Sequence, residues 1–166
     1  MPLLLTKLMN DCQLDIDFKM ESADMPSTTD NLAMNVKIQG MGEQKVSLNT
    51  HALTSKTGAF LILQKVSENL GKAFAPFVEP LLPIVTAHMT FLHSKAIKKS
   101  SLAIFKSMLI AVGESQNVQL FQQAVPMYIE QIQKSLNRKD EKSVKIMIKS
   151  LANNIKALGR ENETNT

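Results

Sequence analysis

The sequence predicts an all-α protein, an α-α superhelix of stacked helical hairpins, with a short β-hairpin in its N-terminal linker. Three observations carry this. From residue 52 to residue 158 apolar side chains recur in five successive runs at helical spacing. The first, third and fifth runs end on Leu70-Gly71, Val112-Gly113 and Leu158-Gly159, 42 and 46 residues apart, and Leu82-Pro83 returns as Val125-Pro126 after 43. Aromatics make up only 5%, Trp is absent and Met occurs ten times, a palette suited to helix-on-helix packing rather than to a β-sandwich.

Residues 1–9 read as the tail of an apolar helix. Residues 10–50 read as an acidic linker: its stretch 11–32 holds six carboxylates against Lys19 alone and is expected to stay flexible. Within it, Met34, Val36 and Ile38 alternate with polar residues, as do Val46 and Leu48, and Gly40-Met-Gly42 lies between. That pattern reads as a β-hairpin or extended arm, pairing 34–38 with 45–49. The first helix covers about 52–70, with Phe60 and Leu63 inward and Gly71 as its left-handed cap. The second covers about 76–91, with Phe77 and Leu81 inward; Pro76 fits a first turn and Pro83 should kink the helix. The third, about 95–112, turns Phe105 and Leu109 inward and closes at Gly113. The fourth, about 117–137, carries Val125, Ile129 and Ile132, and the fifth, about 141–158, carries Ile148, Leu151 and Ile155 and closes at Gly159. Residues 160–166 form a polar tail expected to be disordered.

A two-helix unit of roughly 40–47 residues is the period of HEAT and armadillo repeats. The repeats are placed at 51–92, 94–137 and, in part, 140–159. Such an array works by presenting a surface, so the expected function is recognition of a partner and not catalysis.

The sequence is poor in reactive constellations. No Gly-x-Gly-x-x-Gly, Walker loop or Gly-x-Ser-x-Gly is present. His88 and His93 are five residues apart, off a common helical face, and Cys12 is remote from both, so no metal site, no cofactor and no catalytic residue is expected. The single cysteine excludes an intrachain disulfide and suits a reducing compartment. No uncharged apolar run of membrane-spanning length occurs, so no membrane partner is expected. Lysines outnumber acids and give a net charge of +4, but Arg is nearly absent and no aromatic is interleaved for base stacking, so nucleic acid is not an expected partner.

Several segments, in order, resemble the importin-β (karyopherin-β) superfamily of nuclear transport receptors, and within it the importin-five or karyopherin beta-three type. They are Met1-Pro-Leu-Leu-Leu, the acidic linker with its strands, Lys56-Thr-Gly-Ala, Phe74-Ala-Pro-Phe-Val-Glu-Pro-Leu-Leu-Pro and the helix opening Ile97-Lys-Lys-Ser-Ser. The resemblance implies a receptor segment that binds protein cargo, basic cargo included, in cytoplasm and nucleus, with Phe-Gly nucleoporins and Ran engaged through the parent receptor. It further implies that the second helix of each pair faces the cargo, which places Gln123, Glu130, Gln131 and Lys134 on that face. Lys98 and Lys145 stand where the family has Arg, and Lys95 and Lys142 where it has Asp, so the family's Asp–Arg ladder between repeats is not expected in that form. The chain opens within a repeat and closes on an unpaired helix, which reads as a piece of a longer receptor. The alternative is a HEAT scaffold of the phosphatase-regulatory or chromosome-associated type, to which the linker and hairpin at 11–49 would add nothing.

Overall fold

The computed structural model describes residues 2–16, 18–22, 31–38 and 42–163, with side chains over 3–16 and 50–156. Helix α1 (Pro2–Cys12) leads into strands β1 (Phe18–Ser22), β2 (Asn31–Ile38) and β3 (Gly42–Asn49). Then come α2 (Thr50–Leu70), a 3-10 segment (Gly71–Phe77), α3 (Val78–His88), α4 (Lys95–Glu114), α5 (Val118–Asn137) and α6 (Glu141–Glu163). The helices form two layers: α2, α4 and α6 pack in sequence, α3 packs on α5, and α1 lies on α2 and reaches α3. Each hairpin therefore contributes one helix to each layer.

The linker is more ordered than its composition suggests. β2 and β3 form an antiparallel hairpin as expected, but in another register: Met34 to Ile38 pair with Val46 to Gly42 and not with 45–49, and the ladder extends back to Asn31 opposite Asn49. β1 adds to the other edge of β3, Phe18 opposite Leu48, to give the order β1-β3-β2. The expected flexibility of 11–32 thus fails at both ends: α1 runs on to Cys12, and β1 and the start of β2 are strands. The alternating Phe18 and Met20 are the apolar signal that the count of carboxylates obscures. The expectation for 23–30 lies outside the described residues.

Helix ends also depart from the glycine punctuation. Gly71 adopts φ +50 as expected, but leads straight into a 3-10 turn that carries Pro76, where a missing N–H is harmless. Gly113 lies inside α4, and the left-handed residue is Gln116 at φ 55. There the Asn117 N–H donates to Val112 O and the Gln116 N–H to Gly113 O, the paired bonds of a Schellman cap. Lys139, at φ 57, closes α5 with the same two bonds, Asp140 to Ser135 and Lys139 to Leu136. Gly159 closes nothing, because α6 continues to Glu163; the tail expected from residue 160 is helical to that point, and 164–166 lie outside the described residues. A left-handed residue with a Cβ is strained, so Gln116→Gly is expected to stabilise the protein by about 0.5–1 kcal/mol. An unchanged or lower urea midpoint at equal m-value would contradict that.

The core runs between the layers. Phe60 and Leu63 of α2, Leu81 of α3, and Phe105 and Leu109 of α4 are buried as expected. Phe77, Ile132 and Leu151 are half-buried against that core. Two core assignments fail. Ile148 is 53% exposed, because α6 turns Val144, Met147 and Asn154 inward, with Leu151 packed beside them, and packs through one edge of a wider apolar stripe. Val125 is only half-buried and outside the core, because α5 buries the edge one residue earlier, Ala124, Tyr128, Gln131 and Ser135. The stretch Thr50–His88 is apolar enough in composition for a membrane span, but it breaks at Gly71 and its Phe60, Leu63 and Leu81 are closed in the core.

Candidate protein-binding face

The outer face of the α3–α5 layer is set by the recurring prolines. Pro83 and Pro126 sit inside α3 and α5, both exposed. A proline inside a helix leaves the carbonyl four residues earlier without its N–H partner, here those of Glu79 and Gln122. Around Pro126, α5 exposes the amides of Gln119, Gln122, Gln123 and Gln133. Glu130 and Lys134 share this face and pair at 2.8 Å, each about half exposed, so the bond orients the two side chains more than it stabilises the helix. The face therefore offers amide donors and acceptors with little net charge.

Of the four residues expected here, Gln123, Glu130 and Lys134 lie together on this surface. Gln131 does not. It is 5% exposed, and its Oε1 accepts from the Thr90 hydroxyl at 3.3 Å, while Arg138 Nη1 reaches Thr90 O at 3.5 Å. A turn of one residue on α5 swings position 131 into the seam behind α3, where an amide with a buried partner is tolerated.

The repeats are stapled, but by lysine. Lys98 Nζ lies 3.4 Å from Asp140 Oδ2 and donates to Ser143 Oγ at 2.9 Å, linking α4 to the start of α6. In place of an Asp–Arg pair, the described residues thus carry a lysine here, with partners 42 and 45 residues away. Asp140 also caps α6 by accepting the Ser143 N–H at 3.1 Å. The Ser143 hydroxyl, then its backbone N–H, hold the Asp140 carboxyl below its ordinary 3.8, with Lys98 adding to the effect. A lowered carboxyl pKa contributes stability above 3.8 that is lost as the pH falls through the native value. Asp140→Ala is expected to cost about 1 kcal/mol at neutral pH, the usual worth of a partly exposed cap. Its deficit against wild type should shrink as the pH falls through the native pKa of the carboxyl. A deficit that persists in acid would assign the loss to packing.

A buried polar cluster, unanticipated in the sequence, ties α1 to the repeats. Lys56 of α2 is 5% exposed; its Nζ donates to Leu14 O at 2.9 Å and stands 5.3 Å from the centre of the Phe91 ring. Burial lowers its pKa. His88 lies 4.9 Å from Phe60 and 5.5 Å from Phe91, its Nδ1 bonded to Ile84 O, and burial lowers its pKa. Cys12 is fully buried and its thiol is pushed up to about 12, chiefly by desolvation. Among the described residues no group of His, Cys, Asp and Glu stands close enough to hold a metal ion.

No family model and no curated protein matches the chain in sequence. Solved structures match it in shape. Kap121p bound to RanGTP superposes with a TM-score of 0.69 at 20% identity, over 93% of this chain and 16% of that one. Kap121p bound to Ste12p gives 0.68 at 17%, over 93% and 15%. The karyopherin Kap121p bound to the SUMO protease Ulp1p gives 0.68 at 18%, over the same shares. The chain shares its fold, an α-α superhelix, with a stretch of Kap121p. The chain spans about 15% of the length of these proteins. The share left unmatched, 7%, is shorter than the stretch 18–49, so the match takes in at least part of the sheet as well as the helices.

Proposed function

We propose that this chain is a segment of a nuclear transport receptor and that it takes part in holding protein cargo along the outer face of α3 and α5. The supporting observation is the shape shared over 93% of the chain with Kap121p, solved in complex with Ste12p, Nup53p, Pho4p, Ulp1p and RanGTP. The face itself fits the task. Exposed glutamine amides and two open helix carbonyls can pair with the backbone of an extended polypeptide, whatever its side chains. One segment offers few contacts, so its own affinity is low and the parent array gains strength by repetition. Ran and Phe-Gly nucleoporins would engage the parent receptor, which would work in both cytoplasm and nucleus. The sheet at 18–49 favours this reading over a plain HEAT scaffold, whose repeats need no such insertion.

The test is a titration of the chain with an extended Lys/Arg-rich cargo peptide, beside the triple variant Gln122→Ala, Gln123→Ala, Gln133→Ala. We expect a dissociation constant of about 10–100 μM for the wild type and a loss of about tenfold or more in the triple variant, since each lost amide contact is worth about 0.5–1 kcal/mol. Binding that the triple variant leaves unchanged, or no binding at about 1 mM, would remove the α5 face from the proposal.

A further inference from the structure

Four lysines converge where the N-terminal ends of α4 and α6 meet. Lys95, Lys98 and Lys99 stand on the first turns of α4, and Lys142 stands on the first turn of α6. Only Lys98 is neutralised, by Asp140 at 3.4 Å. Lys95, Lys99 and Lys142 are exposed and have no ion-pair partner among the described residues. The nearby Glu141 is turned to Lys145 at 4.0 Å along its own helix.

These lysines ring a groove of about 510 Å³ between the two helices. Its floor is apolar: Leu102 from α4, Met147 from α6 and Met89 from the end of α3, with Ile146, 57% exposed, on the rim. Methionine side chains adapt to an incoming group of irregular shape. No aromatic and no arginine lines the groove, which leaves a nucleic acid base nothing to stack on. A purely apolar ligand would fill the floor but leave three cations unanswered.

We propose that this groove is a docking site for a short acidic segment of a partner protein, one in which a Leu- or Phe-type anchor is flanked by carboxylates. The anchor buries against Leu102 and Met147, and the flanking carboxylates meet Lys95 and Lys99 on one side and Lys142 on the other. Complementary charge of this kind steers and selects the partner, while the apolar anchor holds it. No residue of α5 lines the groove, so the site is separate from the face proposed for cargo and stands or falls without it.

The experiment is fluorescence anisotropy on the whole chain, with a labelled peptide in which a Leu-Phe pair is flanked on both sides by glutamates. The wild type is expected to bind it, less tightly as salt is raised, because exposed charge pairs are screened. The double variant Lys99→Glu, Lys142→Glu should lose about tenfold or more in affinity, and Lys72→Glu, an exposed lysine outside the groove, should lose little. Both lysines of the double variant are exposed, and an unchanged thermal midpoint confirms that its fold is intact. Any of four results would overturn the proposal. They are equal binding by the double variant, equal binding of a glutamate peptide with Ser-Gly in place of Leu-Phe, equal binding of a Phe-Gly peptide without carboxylates, and tighter binding of a single-stranded oligonucleotide.

Discussion

Replacing Phe105 by alanine is expected to lower the free energy of unfolding by about 3–5 kcal/mol, the largest loss that a single truncation of this core should produce. The ring is fully buried in the middle of α4, the one helix that packs on α2, α3, α5 and α6. Its centre lies 4.8 Å from that of Tyr128 at an interplanar angle of 37°. Tyr128 in turn donates its hydroxyl to Met147 O at 2.9 Å, so the Phe105 ring supports the side chain that joins α5 to α6. Truncation removes the apolar contacts, leaves a cavity between closely packed helices and loosens that bond. Ile132→Ala, on a half-buried position, should cost about 1–2 kcal/mol, in proportion to the smaller area taken from water. Urea midpoints measured at equal m-value decide both. An unchanged midpoint for Phe105→Ala would mean that the space between α4 and α5 is not closed in solution.

The helices were legible because their apolar residues recur over long windows, and a long periodic window averages out single exceptions. α4 and α5 begin and end within two residues of the expected bounds. What the periodicity left open was rotation. In α5 the inward edge includes Gln131 and Ser135, polar residues that any apolar stripe skips, and only the partner Thr90, 41 positions away, makes Gln131 tolerable there. In α6 two apolar edges compete, and contact with α4 and α5 selects the one through Met147 over the one through Ile148. Glycine was misleading for a similar reason: the left-handed cap is a backbone requirement that Gln116 and Lys139 meet at some strain, while Gly113 and Gly159 sit in ordinary helix. On the proposed face, Gln123, Glu130 and Lys134 were placed by the family resemblance, which names the second helix of each pair, and the helical repeat added only that they share a side of it. The unpaired lysines of the α4–α6 groove could not be placed, since Lys95 and Lys142 lie 47 residues apart and meet only through the stacking of two repeats.

Lys56→Ala is expected to cost about 2–3 kcal/mol and to release α1. A buried ammonium is unfavourable by itself, and this one is held by two compensations, one at the end of α1 and one at Phe91 beyond α3. Its bond to Leu14 O, at 2.9 Å, satisfies a carbonyl just beyond the last turn of α1, and such charged hydrogen bonds are worth about 1.5–3 kcal/mol. Its approach to Phe91, 5.3 Å from the ring centre, adds about 0.5–2 kcal/mol on the far side. Alanine removes both contacts and the aliphatic stem that packs beneath them, and recovers only the desolvation of the charge. Because α1 packs chiefly on α2, with a smaller contact to α3, the loss should appear first as local opening of α1, ahead of global unfolding. Cys12, fully buried on α1 with its thiol pushed up to about 12, reports that opening. In the wild type it should react with a thiol reagent at neutral pH only slowly, and in Lys56→Ala at least about tenfold faster. Lys56→Met separates the two parts of the effect: it keeps the stem, sheds the desolvation cost and loses the bond, so it should fall between wild type and alanine. Labelling of Cys12 as slow in Lys56→Ala as in the wild type would show that α1 is held by its own apolar contacts, Leu5 and Leu8 among them, and not by the lysine.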